Sequence, residues 1–391
     1  MNPNLTSLFL LDPKVVFLNH GSFGACPAPV LEVYQDWQRR LEKQPVRFLA
    51  RELPGLLKNA RSALAEAVGC RANDLVYLPN ATHGVNAAAR SLELGPGDEI
   101  LTTDHEYGAC LNAWQYISRQ TGAELIQQPL TLPVRSSADL LEEFWGGVTP
   151  RTKVLFLSHI TSPTALILPI REICSRAREH GLLTVVDGAH APGQIPLDLT
   201  ALGADFYTGN CHKWLLAPKG TAFLYVRPNR QLPVEPLVVS WGWGENRTYE
   251  SGSRLVNLLE WQGTRDPSAA LTVPAALAFQ EQHGWEVIRE NCRGLLTEYL
   301  PKFHTLTGKP SLYGTESGLF RQMAAVELPP LEDPADYQAH LYRERRIEIP
   351  VIVWHGRHLL RISVQGYNQA SDLETLLEAL DSSLASFTMG K

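Results

Sequence analysis

Two hydrophobic rhythms alternate along this chain. Short apolar runs that read as strands recur at Leu75–Leu78, Glu99–Thr103, Glu124–Gln127, Val154–Ser158, Leu183–Val186, Phe206–Tyr207 and Thr221–Val226. Between most of them lie stretches with helical spacing, at His83–Leu92, Ala109–Gln120, Ala138–Phe144 and Ile170–Glu179. Strand, helix, strand at this interval predicts an α/β fold with an open, mostly parallel central sheet sandwiched by helices. In such sheets the reactive groups gather at the carboxyl ends of the strands.

The two ends of the chain follow other patterns. Residues 1–28 form an irregular arm rich in turn formers, including Asn19-His20-Gly21-Ser22, Gly24 and Pro27. A helix is expected next, with Val30, Val33, Tyr34, Trp37 and Leu41 on one face, and another over Pro54–Val68 with Leu57, Ala60, Leu64 and Val68 inward. After Gly263 a long helical region runs from Pro267 to Pro301, with a break near His283-Gly284. Strands around Met323–Leu328, Pro350–Val353 and Leu359–Val364 then mix with helices at Ala335–Arg345 and Asp372–Ser386. The expected organisation is an arm (1–28), a large domain (29–266), and linking helices with a smaller α+β domain (267–391) onto which the arm packs.

Composition narrows the classes without choosing among them. The 391 residues are 44% hydrophobic and 19% charged, with a net charge of −6 and no basic block, so no nucleic-acid partner is expected. The first sixteen residues lack the charge pattern of a signal peptide, and no apolar run approaches the roughly 20 residues of a membrane helix. Six cysteines are scattered without disulfide or metal-ligand spacing, which suits a reduced, cytoplasmic enzyme. No Gly-x-Gly-x-x-Gly turn follows a strand, which argues against a dinucleotide-dependent dehydrogenase.

Candidate chemistry concentrates at strand ends. The apolar run Leu182-Leu183-Thr184-Val185-Val186 stops at Asp187-Gly188-Ala189-His190. A buried acid there needs a cationic partner, and a protonated pyridine nitrogen is one. Further on, Asn210-Cys211-His212-Lys213 precedes Trp214-Leu215-Leu216. A desolvated lysine in that setting has a lowered pKa and suits Schiff-base chemistry. Asp187, His190, Cys211 and His212 fit no zinc pattern, and Lys213 would repel the ion. Asn80-Ala81-Thr82-His83-Gly84 opens a helix whose free amides suit a phosphate, although an ordinary helix cap has the same residues. Tyr107 follows another strand end, where it either stacks on a planar ring or joins the core.

These phrases, with Leu18-Asn19-His20-Gly21-Ser22-Phe23-Gly24, Ser158-His159-Ile160-Thr161-Ser162-Pro163, Gly263-Thr264-Arg265-Asp266 and Arg361-Ile362-Ser363, resemble class V aminotransferase-like enzymes dependent on pyridoxal 5′-phosphate. The resemblance is closest to the isopenicillin N epimerase-like subgroup, which is related to cysteine desulfurases and C–S lyases. It implies the PLP-dependent transferase fold (fold type I) and a homodimer sharing its active site. Lys213 would carry the cofactor as a Schiff base and shuttle the Cα proton, and Asp187 would pair with the ring nitrogen. Tyr107 would stack on the ring. Ala81, Thr82, His83, Asn210 and His212 would hold the phosphate, and Thr264 would reach the phosphate of the neighbouring subunit. His190 and Ser162 stand where relatives carry glutamine and asparagine near the ring hydroxyl. Arg361 would clamp the substrate carboxylate, a task suited to a bidentate guanidinium, with Asn19 and His20 also near the substrate.

Related desulfurases attack sulfur with a cysteine on a loop shortly before that arginine. Here the last cysteine is Cys292, so a persulfide-forming reaction is disfavoured. Epimerisation of an amino acid at Cα, with Tyr107 or His20 as second acid, is the preferred reading. β-Elimination from a cysteine-type substrate and aminotransfer stand as alternatives. Trp241, Trp243, Trp354, His355 and Arg357 are possible pocket residues or packing residues.

Overall fold

The computed structural model describes residues 5–245, 250–313 and 318–388. Its central sheet has seven strands: β2 (Leu75–Leu78), β3 (Glu99–Thr103), β4 (Glu124–Gln128), β5 (Thr152–Ser158), β6 (Leu183–Asp187), β7 (Phe206–Asn210) and β8 (Ala222–Val226). They lie in the order β2-β8-β7-β6-β5-β3-β4. Only β8 runs against the rest. Both faces are covered, and alternate residues of one strand enter different cores. Tyr77, Leu155, Val186, Tyr207 and Phe223 pack on one side, and Val76, Phe156, Val185, Phe206 and Leu224 on the other. That double burial is why the strands read as continuous apolar runs.

β7 extends three residues beyond its expected end, through Thr208-Gly209-Asn210. These residues carry no apolar signal, but β8 pairs with them and the helix Ala81–Arg90 covers them. A Cβ on Gly84 would collide with the Thr208 hydroxyl, so glycine permits this close approach. The expected first helix also differs. It spans Ala28–Lys43, yet of its five predicted inward residues only Val30 is buried, because the helix lies on the outer surface of the 268–282 helices.

A second sheet has three antiparallel strands in the order β11 (Val351–Trp354), β12 (Arg357–Ser363), β9 (Met323–Leu328). The β11–β12 connection is the two-residue turn His355-Gly356, with both residues at positive φ, as tight hairpins require. The N-terminal arm joins this region. Its short strand β1 (Val16–Phe17) pairs in parallel with β10 (Ile347–Glu348), and the Ser363 amide donates to the Leu18 carbonyl at 2.9 Å. Phe9 packs edge-on against Tyr367, with ring centroids 4.9 Å apart. The arm thereby delivers residues 20–24 to the carboxyl edge of the main sheet. No helix among the described residues is long and apolar enough to cross a membrane.

Candidate active site

A cavity of about 710 Å³ opens at the carboxyl ends of β2, β3, β5, β6 and β7. Asp187 ends β6, while Lys213 follows β7 and Tyr107 follows β3, on the other side of Asp187 along the sheet. The arm and the β11–β12 hairpin close the cavity from above through Ser22, Phe23, Ile352 and Trp354.

Charge pairing singles out this site. Six carboxyl groups are buried among the described residues: Asp74, Glu99, Glu106, Asp187, Asp205 and Glu260. Four of them have an arginine partner: Arg71 for Asp74, Arg151 for Glu99, Arg227 and Arg230 for Asp205, and Arg61 for Glu260. Glu106 and Asp187 have none, and both line the cavity. Arg361 is the converse, a buried guanidinium, 4% exposed, with no carboxylate partner among the described residues. Burying an uncompensated charge is costly unless a ligand completes the pair.

Arg361 is aimed by neutral acceptors. Its Nη1 donates to the Ser162 carbonyl at 2.7 Å and the Ser162 hydroxyl at 3.1 Å, and its Nη2 donates to the Ser22 hydroxyl at 2.9 Å. Nε has no partner. A guanidinium has five N–H donors, so Nε–H and one Nη2–H remain, the pair that a carboxylate bridges. Burial pulls its pKa down to about 10.

Lys213 and Asp187 are tuned by burial in opposite senses. Burial, with the Arg361 charge adding to it, lowers the Lys213 pKa to about 7. Burial pushes the Asp187 carboxyl up, against the Ala189 amide at 2.9 Å, the Cys110 thiol at 3.3 Å and the Lys213 charge. His190 holds the lysine. Its Nδ1 accepts from the Trp214 indole N–H at 3.4 Å, which places the ring proton on Nε2, 3.1 Å from Lys213 Nζ, where it donates to the deprotonated form of the amine. Burial depresses the His190 pKa well below the usual range, which keeps the ring neutral.

One end of the cavity is the N-terminus of the helix Ala81–Arg90. The Asn80 side chain caps it by accepting from the His83 amide, and Asn210 Oδ1 accepts from the Ala81 amide at 2.9 Å. The Thr82 amide has no acceptor among the described residues and lines the cavity, as an anion cradle requires. His212 donates from Nδ1 to the Thr221 carbonyl at 3.1 Å, and burial lowers its pKa to about 4. Its neutral Nε2 is therefore an acceptor until an anion raises that pKa.

The cavity wall brings together Ala81, Thr82, Tyr107, Ser162, Asp187, His190, Asn210, His212, Lys213 and Arg361. It does not include four other expected site residues. His20 is fully buried, with Nδ1 accepting from the Ala25 amide and lying 3.0 Å from the Tyr367 hydroxyl, while Nε2 donates to the Lys213 carbonyl at 3.1 Å. Burial lowers its pKa to about 3, and its ring braces the lysine loop from behind the cavity wall. Asn19 donates to the Glu348 carboxylate at 3.1 Å and is likewise occupied. The His83 ring is turned towards Arg265 and Gln262, leaving only its backbone amide at the helix start. Thr264 is exposed, away from this chain's cavity. Among the loop aromatics, Trp354 lines the cavity, held by its indole N–H on the Asp104 carbonyl at 2.9 Å. Trp241 and Trp243 are exposed elsewhere, and Arg357 pairs with Glu327. Glu106 and Cys110 carry no motif that marks them as site residues. A carboxyl directly before Tyr107 at a strand end was the available signal for Glu106.

The chain is similar to known proteins over most of its length. The profile of the aminotransferase class-V family matches residues 17–376. An isopenicillin N epimerase of Amycolatopsis lactamdurans is 39% identical over 383 residues, covering 95% of each chain. A putative L-cysteine desulfhydrase of Oryza sativa subsp. japonica is 30% identical, covering 97% of this chain and 86% of its own. The structure of a cystine C–S lyase in complex with cysteine persulfide superposes with a TM-score of 0.81 at 24% identity, covering 96% of this chain and 99% of that one.

Proposed function

The chain belongs to the aminotransferase class-V family, and we propose that it is a pyridoxal 5′-phosphate enzyme that epimerises an amino acid at Cα. The residues fit the cofactor: an unpaired buried carboxylate for the ring nitrogen, a buried amine with its pKa lowered to about 7 for the aldehyde, and a helix start with a free amide for the phosphate. When bound, the cofactor supplies an electron-accepting ring that lets the Cα–H bond break heterolytically.

The chain's own residues do the rest. Arg361 binds the α-carboxylate through Nε and Nη2, and Ser22 and Ser162 hold that fork in place. Lys213, with its pKa near 7, takes the proton from its side of Cα. Tyr107, arriving from the other side of Asp187 and 48% exposed, is the acid that returns a proton to the opposite face. Asp187 holds the ring-nitrogen proton, and His190 orients the Lys213 amine and reaches the ring hydroxyl. Ala81, Thr82, Asn210 and His212 surround the phosphate, with Thr264 serving the neighbouring subunit of a dimer. In this reading residues 29–266 carry the cofactor, residues 267–391 close over it, and the arm 1–28 packs with them.

The observation that carries the reaction is the 39% identity with an epimerase over 95% of both chains, alongside a hairpin with no thiol. The turn before Arg361 holds only His355-Gly356, and all six cysteines are raised above the usual thiol range. Elimination from cysteine is the second reading, favoured by the desulfhydrase similarity. Incubation of amino acids with the holoenzyme in D₂O tests both. Epimerisation gives the D-isomer deuterated at Cα, and Tyr107→Phe should slow inversion while Lys213-side exchange with retention continues. Sulfide and a keto acid from cysteine, without any D-isomer, would refute it.

A further inference from the structure

Glu106 is the buried carboxyl left over once Asp187 is matched to the ring nitrogen and Arg361 to the substrate. It is 6% exposed and lines the cavity floor. Its side-chain partners are hydroxyls: Thr103 Oγ1 lies 2.7 Å from Oε1, and Ser158 Oγ lies 2.5 Å from Oε2, with the Ser158 backbone as a further partner. No cation lies within ion-pair distance among the described residues, whereas the four arginine-paired carboxyls described above each have one.

The groups packed around Glu106 all oppose its ionisation or are neutral. β6 supplies Asp187, whose negative charge disfavours a second one nearby. The helix Gly108–Thr121 supplies Cys110, a buried thiol held neutral beside Asp187. β3 and β5 supply neutral groups, the Thr103 and Ser158 hydroxyls and the Ser158 backbone, whose hydrogen bonds favour the charged form less than burial opposes it. Two carboxyls in one apolar floor with one prospective cation cannot both be charged cheaply. The ring-nitrogen cation selects Asp187, so the proton stays on Glu106.

We propose that Glu106 is a positioning residue for the ring-nitrogen end of the cofactor, a neutral carboxylic acid that leaves Asp187 as the single negative charge there. This inference rests on the cofactor reading above. Each Glu106 oxygen has a hydroxyl neighbour, and a hydroxyl can either donate or accept, so the protonated acid is fully satisfied. It ties the ends of β3 and β5 together directly beside Tyr107. Burial as the main cause, followed by the pull of the two hydroxyls in the other sense and the Asp187 charge, places its pKa at about 8. The acid is therefore neutral at pH 7 and charged in mild alkali. The second charge then raises the affinity of the Lys213 end for its proton.

The test uses wild-type holoenzyme and Glu106→Gln, which preserves shape without a titrating group. Infrared difference spectra should show a carboxylic-acid C=O band at neutral pH that is lost around pH 8 in wild type and is missing in Glu106→Gln. Above about pH 8, where wild-type Glu106 is charged, the holoenzyme's visible absorption should keep up to about tenfold more of its protonated form than Glu106→Gln does, whereas below pH 7 the two should titrate alike. A purely structural Glu106 would leave the two titrations superimposable over the whole range. An absent band, a band persisting in Glu106→Gln, or titrations that superimpose above pH 8 overturns the proposal. If Glu106→Gln does not fold, the wild-type infrared titration decides alone. If the protein takes no cofactor, the cofactor reading fails, and the same infrared titration of the bare protein still reports whether Glu106 holds its proton.

Discussion

Replacing Arg361 with methionine should separate substrate recognition from both stability and cofactor retention. The guanidinium presents two unused N–H groups, on Nε and Nη2, to an incoming carboxylate. A hydrogen bond to a charged partner contributes about 1.5–3 kcal/mol. Two parallel bonds therefore predict a loss of roughly 3–6 kcal/mol, or about 10²–10⁴-fold in kcat/KM for α-amino acids. Stability should respond in the other direction. Arg361 is buried with no counter-ion, and its protein contacts are three hydrogen bonds to serine oxygens. Removing an uncompensated buried cation and replacing it with a side chain of similar length should leave the unfolding free energy of the bare protein unchanged or higher. Spectral titration with an amino acid and with its decarboxylated amine measures recognition, and denaturant melts measure stability. The reasoning fails if the amine loses as much affinity as the amino acid. It fails also if the bare protein loses more than about 2 kcal/mol, since the arginine would then be a structural element.

Two other predictions follow from the same burial. Lys213→Met should abolish covalent attachment of pyridoxal phosphate, read as loss of the visible band and of a borohydride-fixed mass increase on the lysine peptide. In wild type the attachment rate should rise with pH and reach its half-maximum near 7, because the neutral amine is the nucleophile. The folded Lys213 pKa lies below its unfolded value, so the unfolded chain binds more protons between them, and stability rises with pH from about 7 to the ordinary lysine range. Lys213→Met should flatten that part of the stability profile. Thiol alkylation of the native holoenzyme should leave activity intact, since the four cysteines Cys110, Cys174, Cys211 and Cys292 are buried and burial raises the pKa of all six. Rapid inactivation at one modified cysteine would bring a persulfide mechanism back.

The amino-acid sequence by itself determined the main sheet and which strand ends line the cavity. β2 and β3 lie where the apolar runs place them, as does the helix Ile170–Glu179, because burial on both faces leaves a local signal. The cavity positions of Lys213, Asp187 and Thr82 were legible for a related reason: Asp187 ends a strand and the other two follow one, and strand ends of a parallel sheet converge on one edge. Tertiary structure decided what depends on distant partners. Ser22 and Arg361 are 339 positions apart, and only the arm's pairing with β10 and β12 brings them within 2.9 Å. His20 carried the same local pattern as a site residue, but the arm's path turns its ring onto the Lys213 backbone and Tyr367. Trp354 and Trp243 were indistinguishable as loop aromatics until the hairpin set one in the cavity wall and left the other exposed. Glu106 was one of 41 acids. Its chemistry comes from a missing arginine, and the absence of a counter-charge in space leaves no trace in the order of residues.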